Sequence, residues 1–178
     1  RHAIYSLPRN WDSHRNSRIW LGDEWSGEVT QLVPGQNKDY WATLSPDGTR
    51  LAFVRDVGPG ALEFSPDTAI FVAPVNNQGL VGVATRLTSA SIYSSDYNSN
   101  NYAPSWSPDG TQLAFFCSSW GGDTNGYLVD DGNICVMDAN GRNLRPVANN
   151  ARIYPPAWYI NNAGETFLVY GGSSLNTN

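Results

Sequence analysis

The side chains that most often carry catalysis are scarce in this sequence. Nucleophilic catalysis needs a serine, cysteine or threonine that a neighbouring base activates. The sequence has no Gly-x-Ser-x-Gly motif, and its only two histidines, His2 and His14, lie near its beginning. We interpret His14 as a solvated loop histidine rather than a catalytic base or a metal ligand. We therefore predict that these 178 residues contain no catalytic site.

One segment has the composition of a cation site. Residues 122–133 (GDTNGYLVDDGN) carry aspartates and asparagines among glycines, and calcium prefers such oxygen ligands. The candidate ligands are Asp123, Asn125, Asp130 and Asp131. The segment lacks the closing glutamate of an EF-hand, so the alternative is that these side chains only form Asx turns in a long loop. We expect no other cofactor, because no His-x-x-x-His or paired-cysteine spacing indicates zinc.

Charge and composition narrow the classes of partner and of fold. The net charge is −5, with 11 basic against 16 acidic residues, which leaves no basic patch for nucleic acid or anionic lipid. No apolar run approaches the roughly 18 residues that a membrane-spanning helix needs. The many aromatic residues, glycines and prolines (7 Trp, 9 Tyr, 17 Gly, 11 Pro) favour short strands joined by tight turns.

These elements repeat along the chain. Residues 40–53 (YWATLSPDGTRLAF) recur as 102–115 (YAPSWSPDGTQLAF), and a looser copy runs from Pro155 to Tyr170. Each copy predicts a hairpin of an extended aromatic strand A and an apolar strand B. In the first two copies the turn is Ser-Pro-Asp-Gly, in which proline fixes φ and glycine accepts a positive φ; in the third it runs through residues 161–164 (NNAG) and is two residues longer. Repeated units of this kind indicate the fold class more reliably than any single strand does.

Two further strands follow each hairpin. The sequence predicts strand C at 19–23, 70–74 and 134–138, and strand D at 28–32, 82–88 and 143–147. The first six residues match strand B of the later copies, which brings the total to thirteen predicted strands. The predicted units are 1–37 (strands B to D), 38–101 and 102–153 (four strands each) and 154–178 (strands A and B). Four-stranded antiparallel units that repeat in this way indicate an all-β fold, a β-propeller of about three blades.

The repeats resemble those of the TolB-type, WD-like β-propeller family. The resemblance rests on residues 103–115 (APSWSPDGTQLAF) and 133–144 (NICVMDANGRNL), and in degraded form it covers nearly the whole chain. It implies blades around a central axis and a protein-binding role outside the cytoplasm. The same repeat also occurs in peptidases of the prolyl oligopeptidase and tricorn types. Leu44 departs from the pattern, because Trp106 and Trp158 stand at the matching positions.

The two cysteines fall in the same predicted blade. Cys117 ends strand B and Cys135 lies in strand C, so the two side chains can face each other across the hairpin. One interpretation is a disulfide, which the extracytoplasmic location implied by the resemblance would permit. The other interpretation is two free, buried thiols.

The long connections are predicted to share one face of the disc. The B-to-C connections (7–17, 56–67 and 118–132) and the D-to-A connection (89–101) all leave from the same end of the strands. Insertions confined to one face suggest a binding surface. They carry aromatic residues of the kind that anchors protein interfaces: Trp11, Phe64, Tyr93, Tyr97, Trp120 and Tyr127. The alternative is that each loop packs upon itself.

We interpret the chain as a non-catalytic propeller segment that binds protein or serves as a structural subunit outside the cytoplasm. One alternative is a propeller that gates or docks substrate for a hydrolase domain elsewhere in a larger protein. Another is a propeller that binds calcium or a saccharide. Because closed propellers usually have at least four blades, we expect further sequence or a neighbouring copy of the chain to cover the open ends.

Overall fold

A computed structural model describes residues 2–6, 18–35, 37–57, 68–76, 81–88, 100–118 and 132–172, with the backbone alone described for residues 2–6 and for Asn100. In these ranges the structure is all-β, with thirteen strands in four antiparallel sheets. The expected fold class and number of strands are therefore confirmed. The described sheets do not close into a ring.

Each sheet is one blade, with its strands in chain order. The first blade has β1 (His2–Ser6), β2 (Ile19–Asp23) and β3 (Val29–Gln31). The second has β4 (Asp39–Leu44), β5 (Arg50–Asp56), β6 (Thr68–Pro74) and β7 (Thr85–Arg86). The third has β8 (Asn100–Trp106), β9 (Gln112–Ser118), β10 (Gly132–Asp138) and β11 (Arg145–Ala151). The terminal hairpin has β12 (Ala157–Ile160) and β13 (Thr166–Val169).

Two predicted outer strands have different limits in the structure. β7 is only two residues long, because the Thr88 hydroxyl accepts the hydrogen bond of the Ile70 amide (2.9 Å) where a longer strand would offer a carbonyl. β11 begins at Arg145 rather than at 143, because Asn143 has a φ of 55° and its side-chain amide donates to Asp138 (2.6 Å). A residue in the left-handed region continues a turn and does not start a strand.

The repeated Ser-Pro-Asp-Gly segments form the tight turns that the sequence predicts. In the first, the Asp47 carboxylate accepts hydrogen bonds from the Ser45 hydroxyl (2.5 Å) and the Thr49 amide (3.0 Å). Gly48 has a φ of 72°, a conformation that costs glycine little. Asp109 makes the same contacts in the second copy. These turns fix the register between strands A and B of the second and third blades.

The core lies between the blades. Leu51 and Phe53 of β5 pack with residues of the first blade, whereas Ala52 and Val54 of the same strand pack with the third. All four side chains are fully buried. A strand that is covered on both faces needs a continuous apolar run, which explains why strand B reads Leu-Ala-Phe-Val instead of alternating with polar residues.

Candidate interaction surfaces

The long loops that carried the predicted binding residues fall outside the described ranges. This applies to the candidate aromatic anchors Trp11, Phe64, Tyr93, Tyr97, Trp120 and Tyr127 and to the candidate calcium ligands Asp123, Asn125, Asp130 and Asp131. Both sets stay predictions. Among the residues that the structure does describe, no three His, Cys, Asp or Glu side chains are grouped to hold a metal ion. The same residues include no helix that could span a membrane.

Cys117 and Cys135 form a disulfide, which confirms the first of the two interpretations. Cys117 lies opposite Asn133 in the ladder and Cys135 lies opposite Phe115, so the bond crosses the β9–β10 pair diagonally. The two Cα atoms are 5.9 Å apart, and both cysteines are buried. The bond therefore joins the two strands at the base of the connection 119–131.

A pair of buried polar residues joins the second blade to the third. The Asn101 amide donates to the Thr68 hydroxyl (2.8 Å), the same hydroxyl donates to the Asn101 carbonyl (3.0 Å), and the Asn101 side-chain amide donates to the Thr68 carbonyl (3.0 Å). Thr68 follows the connection 58–67 and Asn101 follows the connection 89–99. The pair thus joins β6 to β8 at the strand ends from which two long connections leave.

An ion pair occupies the matching position of the second blade. Asp39 and Arg55 are register partners, as Asn101 and Cys117 are in the third blade. The Arg55 guanidinium donates to both carboxylate oxygens of Asp39 (2.6 and 2.9 Å) and lies 4.9 Å from the centre of the Phe71 ring. The Asp39 side chain is buried, so its charge is compensated where water does not reach. The ion pair therefore links β4 and β5 at the long-loop end of this blade.

The first strands of the second and third blades, β4 and β8, share a bulge and an aromatic cluster. The register shifts between Tyr40 and Thr43 in β4, where Trp41 has a φ of 49°, and β8 repeats this irregularity. The Trp41 ring meets the Tyr102 ring edge-on at 5.1 Å. Burial raises the pKa of the Tyr40 phenol well above its usual 10, and the neighbouring Tyr102 adds to the effect. The Tyr40 phenol therefore stays neutral, and the rings of the cluster pack β4 and β8 together.

A tryptophan of strand A connects the third blade to the second, and another connects the terminal hairpin to the third blade. The Trp106 indole donates to the Thr43 carbonyl (3.1 Å), and the Trp158 indole donates to the Ser105 carbonyl (3.0 Å). Thr43 and Ser105 occupy the same position in β4 and β8. The Arg50 guanidinium lies 4.6 Å from the centre of the Trp106 ring and donates to the Gly110 carbonyl (2.7 Å). The same indole-to-carbonyl contact therefore joins successive blades.

The outer face of the terminal hairpin is apolar and exposed. Tyr159 and Phe167 are register partners with ring centres 6.3 Å apart, and Val169 lies on the same face of β13. The exposed fractions of these three residues are 53%, 48% and 58%. Other exposed apolar residues, such as Trp25 and Val83, lie singly on other blades. Contiguous apolar surface of this kind typically marks an interaction site.

The inner face of the hairpin borders a groove of about 340 Å³. One wall comes from the third blade, with Val136 and Val147, and the other from the hairpin, with Ile160 and Leu168 and also with Phe167. The sequence predicted binding residues on the long loops, and none of the residues of this groove was among them.

Comparison with known proteins agrees on the fold. No family model and no curated protein matches the sequence. TolB from Acinetobacter baumannii superposes with a TM-score of 0.67 at 19% identity, over 98% of this chain and 36% of that one. A putative TolB from Agrobacterium tumefaciens gives a TM-score of 0.65 at 19% identity, over 98% of this chain and 55% of that one. The tricorn protease gives 0.54 at 9% identity, over 95% of this chain and 20% of that one.

The chain thus adopts the fold of a TolB-like β-propeller, as the repeats led us to expect. It spans about a third and about half of the lengths of the two TolB proteins that it matches. At these identities the likeness concerns the arrangement of strands and blades.

Proposed function

From the TolB-like fold, we propose that this chain is a protein-binding propeller module without catalytic activity of its own. The observation that carries the proposal is the exposed apolar face of Tyr159, Phe167 and Val169 on the terminal hairpin. Aromatic side chains in such a patch supply most of the binding energy at protein interfaces. The fold supports the proposal, because blades present rigid surfaces at the ends and edges of their sheets.

The test compares the apolar face with a matched exposed valine on another blade. Phe167→Ser/Val169→Ser removes two side chains of the face, and Val83→Ser removes one that is 89% exposed. The tagged chain and both variants are cross-linked to proteins of the extracytoplasmic fraction of the source cells, and the captured proteins are identified by mass spectrometry. We expect a protein that wild type and Val83→Ser capture equally and that the double variant captures at least tenfold less. Equal capture by all three would contradict the proposal.

We further propose that the chain works outside the cytoplasm. The support is the Cys117–Cys135 disulfide, since such bonds persist in oxidising compartments and are rare in the cytosol. The test is alkylation of the protein taken directly from its source, with and without prior reduction. We expect no alkylated cysteine until a reductant is added. Alkylation of both thiols without a reductant would place the protein in a reducing compartment.

The second candidate function is a propeller that admits or docks substrate for a peptidase domain. The superposition on the tricorn protease, at a TM-score of 0.54 over 95% of this chain, favours it. This candidate requires that the full gene also encode a Ser-His-Asp hydrolase region. Peptidase activity of that longer protein, lost when the nucleophilic serine is replaced, would support it. A full gene without such a region would leave the protein-binding module.

A further inference from the structure

We propose that a polar cleft between the second and third blades binds a carboxylate group, with Arg50 as the residue that pairs with its charge. The cleft has a volume of about 430 Å³. Its lining consists of Arg50 from the second blade and of five residues from the third: Thr111, Gln112, Asp138, Ala139 and Asn140. Neither wall belongs to the first blade or to the terminal hairpin. The inference does not rest on the proposed protein-binding function.

Two contacts with the third blade hold the Arg50 guanidinium in place. Its central carbon lies 4.6 Å from the centre of the Trp106 ring, and its Nη2 atom donates to the Gly110 carbonyl (2.7 Å). Arg50 is half-buried, so one part of the side chain packs between the blades while another part still faces the cleft. A guanidinium that is already fixed in this way loses less conformational entropy when it binds a ligand.

The guanidinium keeps one complete edge for a ligand. Nη2 carries two hydrogens, one on each edge of the planar group, and the Gly110 carbonyl uses one of them. Among the described residues, Arg50 makes no other hydrogen bond and no ion pair. The pKa of Asp47 is lowered mainly by the Ser45 hydroxyl and only last by Arg50. The second edge of the guanidinium therefore presents two parallel N–H groups.

The same strand shows how such an edge pairs with a carboxylate. Arg55, which also lies in β5, donates through Nε and Nη2 to the two carboxylate oxygens of Asp39 (2.6 and 2.9 Å). Two parallel N–H groups match the two oxygens of a carboxylate in spacing and in plane, and such charge-assisted pairs are stronger than neutral hydrogen bonds. At Arg50 the carboxylate of this pair has to come from a ligand.

The other groups of the cleft favour an anion of low charge. Asn140 accepts from the Arg142 amide through Oδ1 (3.0 Å), which leaves its Nδ2 group to donate, and the side-chain amide of Gln112 lines the same cleft. Asp138 adds a negative charge to the lining, and the chain as a whole carries a net charge of −5. These negative charges repel phosphate and other multiply charged anions. A singly charged carboxylate therefore fits best.

Comparison of the repeats separates the charge of Arg50 from the packing of the blades. Gln112 occupies the position of Arg50 in the next repeat. Trp158 nevertheless donates to the strand A carbonyl of the blade before it, as Trp106 does. The indole contact between blades therefore forms with an uncharged residue at this position. The positive charge of Arg50 is thus an addition to the repeat that packing does not require.

The test is a titration of the isotope-labelled full chain at constant ionic strength, followed by NMR through the Arg50 Nε–H and Asn140 amide signals. The probes are acetate, the capped peptide acetyl-Gly-Glu-Gly-amide and its uncharged analogue acetyl-Gly-Gln-Gly-amide. We expect saturable shifts in the millimolar range with acetate and with the glutamate peptide, because a single, partly exposed ion pair contributes little binding free energy. The glutamine peptide should cause no saturable shift.

Two variants with the same change of charge separate the cleft from the overall charge of the chain. Arg50→Gln introduces the residue that the third blade has at this position, and Arg142→Gln removes an exposed arginine from the neighbouring turn. We expect acetate to bind at least tenfold more weakly to Arg50→Gln and within twofold of wild type to Arg142→Gln. Arg50→Lys keeps the charge but not the planar fork, and should bind at least threefold more weakly than wild type.

Three results would overturn the inference: no saturable shift of the Arg50 signal with either carboxylate, equal affinities of Arg50→Gln and Arg142→Gln for acetate, and tighter binding of inorganic phosphate than of acetate. If Arg50→Gln fails to fold, the Arg50 signal of wild type decides the question alone. Binding of acetate without the glutamate peptide would support a site for free organic acids. Tighter binding of the glutamate peptide would support a site for an acidic side chain of a protein.

Discussion

Removal of the Cys117–Cys135 disulfide tests how the third blade is held together. The cysteines are 18 residues apart in sequence, and closing a loop of that size in the unfolded chain is worth about 3 kcal/mol. For a chain of this length, 1 kcal/mol corresponds to about 2–4 °C in Tm. We therefore expect the Tm to fall by about 6–12 °C when the bond is lost.

The assay is thermal unfolding followed by circular dichroism, with two perturbations that separate the bond from the side chains. Wild type refolded with a reductant loses only the bond, whereas Cys117→Ala/Cys135→Ala also loses two buried sulfur atoms. We expect both to melt below the oxidised protein, and only the wild type to respond to the reductant. A reduced wild type that melts within about 2 °C of the oxidised protein would refute the reasoning, because it would mean that the connection 119–131 is already constrained when the chain unfolds.

Three further predictions concern contacts within and between blades. Thr68→Val leaves the buried Asn101 backbone amide without its acceptor, so the free energy of unfolding measured with urea should fall by about 1–3 kcal/mol. The control Thr85→Val, in exposed β7, should change it by less than about 0.5 kcal/mol. Trp106→Phe removes an indole hydrogen bond and the contact with Arg50 at a buried site, and should lower the free energy of unfolding by about 2–3 kcal/mol. Trp158→Phe, at a half-buried site, should lower it by about 1 kcal/mol. The Ser45 hydroxyl and then the Thr49 backbone amide lower the pKa of Asp47 from 3.8 to about 2. The stability that this carboxylate contributes is therefore present above pH 3.8 and is lost as the pH falls toward 2. Asp47→Asn should lack that part of the pH dependence of stability, and an acid-unfolding profile equal to that of wild type would contradict the assignment.

The sequence predicted the blades well because their strands are defined by local signals that repeat. The Ser-Pro-Asp-Gly turns fix where strands A and B meet, and continuous apolar runs such as residues 51–54 mark strands that are buried on both faces. The outer strands were less predictable. The end of β7 depends on the Thr88 hydroxyl and the start of β11 on the left-handed Asn143, and neither residue carries an apolar pattern that marks a strand boundary.

The contacts between blades were beyond the reach of sequence patterns for a different reason. The Thr68–Asn101 pair joins two residues that belong to different repeats and do not occupy equivalent positions. Its matching position in the second blade holds an Asp39–Arg55 ion pair within one blade instead. Buried polar groups at the base of a long loop are thus paired in both the second and the third blade, but by different residues. Comparison of the repeats therefore does not reveal these contacts.

The described blades differ in how many neighbours stabilise them. The second blade is covered on both faces, and the third is joined to it by the Thr68–Asn101 pair and is itself bridged by a disulfide. The terminal hairpin contacts the third blade through Trp158 and Leu168, whereas Tyr159, Phe167 and Val169 on its other face are exposed. Burial of the remaining apolar surface is therefore a source of binding free energy that folding of the described residues has not used. Under the proposed function, a protein that binds the outer face of the hairpin would bury the apolar surface of Tyr159, Phe167 and Val169.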